Sequence, residues 1–122
     1  MDEATLKRWI EVELAAASDR KIEAAIRRRL VEPEPMMRGW DYPGWRGAQA
    51  GTRYECWTVL KHPPSDTGIC YCESGFGPEN PWGLIFLTGD EARLSMGMDF
   101  GWYPTFLQAF EESMAVCDLE DR

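Results

Sequence analysis

The sequence predicts an α+β domain in which N-terminal helices and a C-terminal helix form a single layer on one face of an antiparallel three- to four-stranded meander. Three observations predict it. Residues 3–30 contain no Gly or Pro and repeat apolar side chains at helical spacing. From Thr52 to Thr88 the period changes to two, and residues 105–117 return to helical spacing behind a capping motif. At 122 residues the chain suits one domain with one core. Its expected parts are a helical region 1–32, an aromatic loop 33–51, an antiparallel sheet 52–98 and a C-terminal helix 105–117.

In the first region Leu6, Trp9, Ile10, Leu14 and Ala17 form one apolar stripe, and Ile22, Ala25, Ile26 and Leu30 form another. At about 100° per residue, Leu6 and Leu30 would point roughly 240° apart on one straight rod. Two helices, or one bent at the Ser18-Asp19 cap, resolve this. Arg27-Arg28-Arg29 then falls at a helix C-terminus, where the dipole favours cations, and needs no nucleic acid to explain it.

Pro33 and Pro35 are expected to end the helical region, and Met36 to Gly51 to form an ordered loop rich in aromatics and Gly. Arg53–Leu60, Thr67–Glu73 and Trp82–Thr88 read as strands, with a weaker fourth near Arg93–Met98. His62-Pro63-Pro64-Ser65-Asp66 reads as the first hairpin loop, because neither Pro suits a central ladder. Pairing Lys61 with Thr67 sets Val59 beside Ile69, Trp57 beside Tyr71, Cys56 beside Cys72 and Glu55 beside Glu73. The first two pairs make an apolar face, whereas the two glutamates oppose like charges at its far end. In the last element Thr105 caps Gln108 and Gln108 reaches back. Phe106, Leu107, Phe110, Met114 and Cys117 face inward, and Glu111, Glu112 and Ser113 face outward.

Composition excludes several classes of protein. Hydrophobic residues at 44% and charged residues at 28% fit neither a disordered chain nor a membrane-spanning one. The N-terminal residues lack a basic stretch followed by an apolar one, so no signal peptide is expected. The net charge is −8, and residues 1–32 balance seven acids against seven bases, so the excess lies in the remainder. Such a body repels phosphate backbones and anionic lipid and favours a basic partner, although many acidic domains are acidic for solubility alone. Four cysteines without a signal peptide point to free thiols and a cytoplasmic setting.

Familiar catalytic patterns fail one by one. Cys56, His62, Cys70 and Cys72 follow the spacing C-x5-H-x7-C-x-C, which is not a zinc knuckle, and Cys70 and Cys72 share a strand face as core cysteines do. His62 in a Pro-Pro loop has no evident orienting partner for a cysteine nucleophile. The zinc deaminase pattern, the nucleophile elbow, the dinucleotide fingerprint and the Walker loop are all missing. Glu73 with Asp99 could do acid–base work, but nothing in the sequence places them together.

The aromatic segments Gly39–Trp45 and Gly97–Pro104, with Phe76 and Trp82, mix Trp, Tyr, Gly and Asp as a protein-binding hot spot does. Small domains also fill corners with Trp, so each ring has a structural explanation too. The expectation is a small acidic cytoplasmic protein-binding module with no catalytic residue, cofactor or metal, and with neither nucleic acid nor membrane as partner. Its contact residues would be Glu55, Glu73, Phe76, Trp82, Asp99 and Trp102. Its concrete form would be an inhibitor or immunity-type protein that blocks a basic enzyme. The alternative is a small enzyme or ligand-binding domain using Cys/His or carboxylates near the Gly75–Trp82 loop.

Overall fold

Aspartates start both N-terminal helices. In the computed structural model, which describes residues 1–39, 53–73, 79–88 and 101–119, the Asp2 carboxylate accepts the Thr5 amide at 2.8 Å and opens α1 (Glu3–Ala16). Asp19 accepts the amides of Lys21 and Ile22 and opens α2 (Arg20–Arg29). Each cap satisfies amides that a helix start leaves without partners. The expected break at Ser18-Asp19 is present, and Arg27, Arg28 and Arg29 fill the last turn of α2. Leu6, Ile10 and Leu14 of α1 and Ala25 and Ile26 of α2 are buried, but Trp9, expected in the stripe, is 42% exposed.

The helical region ends at Arg29, not at residue 32, and the segment expected to be loop begins with a strand. β1 (Leu30–Gly39) includes Pro33 and Pro35 and pairs antiparallel with β2 (Arg53–His62). β3 (Thr67–Tyr71), β4 (Trp82–Phe86) and β5 (Trp102–Tyr103) complete a five-stranded sheet in the order β1-β2-β3-β4-β5. β1 is an edge strand, where prolines lacking an N–H are tolerated. The ladder is irregular between Leu30 and Glu34, around the first of them. The possible strand near Arg93–Met98 and most of the aromatic loop lie outside the described residues.

Trp57 pairs with Tyr71 as expected, but the register slips by one between Thr58 and Leu60. Leu60 therefore pairs with Ile69, Lys61 with Gly68 and His62 with Thr67, in place of the expected Val59–Ile69 and Lys61–Thr67 pairs. A bulge at Val59 lets two consecutive apolar residues serve one core, and Val59 and Leu60 are both fully buried. The connection is a 3-10 turn over Pro63–Ser65 closed by Asp66, whose φ of 57° suits a short polar side chain.

Two apolar clusters share the sheet. On one side Leu6, Ile10, Leu14, Ala25 and Ile26 pack with Val59, Leu60, Ile69, Tyr71, Trp82, Leu84, Phe106 and Phe110. Truncating a buried Phe such as Phe106 to Ala would cost about 3–5 kcal/mol. On the other side Cys56, Cys70, Cys72, Ile85 and Trp102 form a smaller cluster, flanked by Tyr54 and Leu87. Gly83 pairs with Trp102, and a Cβ at Gly83 would lie 2.5 Å from the indole ring, so the absent side chain admits the Trp.

The C-terminal helix is shorter than expected. Thr105 accepts the Gln108 amide at 3.1 Å and starts α3 (Phe106–Glu112), which gives way to a 3-10 segment over Met114–Leu119. Both the amide and the hydroxyl of Ser113 bond back to the Phe110 carbonyl, which tightens the chain and shifts its phase. Ser113 is consequently buried, while Met114 and Cys117, expected inside, are exposed.

Candidate functional site

Two of the acidic candidates lie just beyond the last residues paired between β2 and β3, at one end of the sheet. Glu55 lies two residues before Trp57 on β2, and Glu73 two residues after Tyr71, the cross-strand partner of Trp57. Both are exposed, Glu73 with 66% of its side chain in solvent. Glu55 accepts the Trp57 indole N–H at 3.1 Å, which fixes one carboxylate against a half-buried ring. Burial and then the Glu73 charge push the Tyr71 phenol up from its ordinary value. Trp9 meets Tyr71 edge-on at 5.6 Å between centroids, and the contacts continue through Trp82 at 5.0 Å to Phe106 at 5.4 Å. The exposed acids thus border an aromatic row that runs into the core. Among the described residues, no Lys or Arg side chain forms an ion pair with Glu55 or Glu73; the Met1 ammonium lies 4.0 Å from Glu73.

The other candidates are placed differently. Trp82 is 4% exposed beneath the helices and Trp102 is 8% exposed on the opposite side of the sheet, so neither ring joins the acidic corner as a surface contact. Phe76 and Asp99 lie outside the described residues, as does most of the Ser74–Pro81 loop. Trp9, by contrast, was assigned to the core stripe in the sequence. It lies at the margin of the face set by Leu6, Ile10 and Leu14, and that marginal position is the signal of partial exposure.

His62, left without an evident orienting group by its position in a Pro-Pro loop, has two. Its Nδ1 lies 2.8 Å from Ser65 Oγ and its Nε2 3.1 Å from Asp118 Oδ1. Asp118 also accepts Arg29 Nε at 3.0 Å, and Ser65 Oγ lies 2.6 Å from Thr67 Oγ1. The Arg29 hydrogen bond first, and that of His62 after it, hold the Asp118 carboxyl below its ordinary value against the opposing effect of burial. Ser, His and Asp in contact resemble a proton relay in composition. Yet the ring is buried, both its nitrogens are engaged, and the hydroxyl is shared with Thr67. Chemically this is a clamp that ties α2, the β2–β3 hairpin and the C-terminal segment together.

Cys56, Cys70 and Cys72 are free and buried in the smaller cluster, and Cys117 is free and exposed. The hydrogen bond from Cys70 and then burial raise the Cys56 thiol well above its ordinary value, with Cys72 and the Arg38 charge acting the other way. A thiol so held carries little thiolate, the form that attacks carbonyls or binds metal. Among the described residues, no group of three or more His, Cys, Asp and Glu is placed to hold a metal ion.

Protein-family models, curated proteins and solved structures all yield no match to this chain. Among the described residues, no helix is long and apolar enough to cross a membrane.

Proposed function

We propose that this protein is a small acidic protein-binding module that docks a basic partner at the sheet end bearing Glu55 and Glu73. The observation that carries the proposal is the setting of these carboxylates: exposed, at one end of the sheet, with Glu55 on Trp57 and Glu73 two residues from Tyr71, which half-exposed Trp9 meets edge-on. Like charges at neighbouring strand ends repel each other, and an incoming Lys or Arg would relieve them. Aromatic rings beside them supply the apolar area that an energetic contact needs. The net charge of −8 would steer a basic partner from a distance. In concrete form the module is an inhibitor or immunity-type protein, its acidic end occupying the phosphate-binding surface of a basic nucleic-acid-cleaving or nucleotide-handling enzyme. A cytoplasmic setting accords with the four free thiols.

The test is charge reversal. A partner captured from the source cells and identified by mass spectrometry is purified and titrated with the wild type and with Glu73→Lys. The variant is expected to bind at least tenfold more weakly, about 1.4 kcal/mol, with thermal stability unchanged or raised. The difference should narrow as salt is added. Equal affinity at low salt would dispose of the proposal.

A further inference from the structure

Among the described residues, Arg38 is the largest side chain with almost no exposure, at 1%. It lies on β1 opposite Tyr54, in the same alternation as Met36 opposite Cys56, and so on the sheet face away from the helices. From there it reaches across the sheet to β4, where Nη2 donates to the Phe86 carbonyl at 3.1 Å. Its Nε and Nη1 are buried and have no hydrogen-bond partner among the described residues. A guanidinium cannot shed its proton to escape burial, so an ionised group with two unsatisfied nitrogens calls for a counter-charge.

The surroundings offer space for one. Arg38 lines a cavity of about 450 Å³ together with Thr58, Lys61, Glu34, Asp66 and Thr88. That volume lies within the roughly 300–1,000 Å³ usual for small-molecule sites. Both carboxylates in the wall are already engaged: Glu34 pairs with Lys61 at 3.1 Å, and Asp66 accepts the Thr88 hydroxyl at 2.8 Å. Neither is within ion-pair distance of Arg38. Among the described residues, this buried cation at the wall of the cavity therefore has no carboxylate of its own.

We infer that this cavity is a binding site for a small oxyanion-bearing molecule, a carboxylate or a phosphate, held by the Arg38 guanidinium. Lys61, half-buried in the same wall, offsets the Glu34 charge with which it is paired, and the hydroxyl of Thr58 adds a polar contact. The site is independent of the acidic sheet end, and its failure would leave the partner proposal untouched.

The experiment is thermal unfolding of the wild type in chloride buffer, with inorganic phosphate or malonate titrated to roughly 10 mM at constant ionic strength. At least one of the two anions should raise the midpoint along a saturating curve; phosphate alone would mark a phosphate ligand and malonate alone a carboxylate. Arg38→Met should be as stable as the wild type or more so in chloride, and should lose the anion-dependent rise. Because phosphate also stabilises proteins by exclusion from their surfaces, an equal rise in Arg38→Met would overturn the assignment. So would the absence of a rise in the wild type with either anion. Should Arg38→Met fail to fold, Arg38→Lys keeps the charge but not the planar fork and should bind at least tenfold more weakly. Unchanged saturation in that variant would also overturn the inference.

Discussion

Single side chains carry much of the cohesion between distant parts of the chain. Asp118 joins Arg29 at 3.0 Å and His62 at 3.1 Å, so one carboxylate binds the end of α2 and the hairpin to the C-terminal segment. Asp118→Asn is expected to cost about 1–2 kcal/mol near neutral pH, since a charge-assisted bond becomes a neutral one. Because the folded carboxyl is held below its unfolded value of about 3.9, this contribution is fully present above that value. It is lost as pH falls through the lower folded value, where the wild type and Asp118→Asn should converge. Urea unfolding of both proteins from neutral to acid pH measures the difference, and a gap that persisted at the acid end would refute the assignment. None of this was legible in the sequence, because His62 and Asp118 are 56 positions apart and only tertiary packing brings them together. The acidic corner was partly legible: the expected strands Arg53–Leu60 and Thr67–Glu73 put Glu55 and Glu73 on one face, but β3 ends at Tyr71 and the ladder stops short of that pair. The environment of Arg38 is not legible in the sequence, because Pro33 and Pro35 hide the strand that buries it.

At the scale of elements, two features resisted sequence reasoning for the same reason: each is satisfied by a distant part of the chain. β1 was masked by Pro33 and Pro35, which argue against a strand until its place at the sheet edge is known. At the start of α3 the Thr105 cap was legible, being local. The expected second half of the motif, Gln108 reaching back, is not what serves the first turn. Instead the Glu13 carboxylate of α1 accepts the amides of Phe106 at 3.1 Å and Leu107 at 3.0 Å. An acid at a helix N-terminus combines hydrogen bonding with the dipole, so it stabilises α3 and also fixes the contact between the two helices. Glu13→Ala should therefore destabilise the fold by about 0.5–2 kcal/mol, with Glu13→Gln falling between that variant and the wild type. Chemical denaturation with an unchanged m-value is the measurement. A Glu13→Ala protein as stable as the wild type would mean that water replaces the carboxylate without loss.

The described residues are organised around one sheet with apolar material on both sides, and the three buried cysteines report on one side only. Cys56, Cys70 and Cys72 lie in the smaller cluster, while the helices cover the opposite face. The two clusters share β2, β3 and β4, so loss of either should take the other with it. Thiol labelling tests this cooperativity. In native protein kept from air, Cys117 should react fast because it is exposed, and the three buried thiols should react only when the sheet opens. In denaturant all four should react, as free thiols do. If the domain unfolds as one unit, the labelling rates of Cys56, Cys70 and Cys72 should rise with urea at the slope of global unfolding. Fast labelling of Cys70 or Cys72 with no urea dependence would instead show that the face bearing Arg38 opens while the helical face stays closed. Saturating the Arg38 cavity with its anion should then slow that labelling in the wild type and leave it unchanged in Arg38→Met.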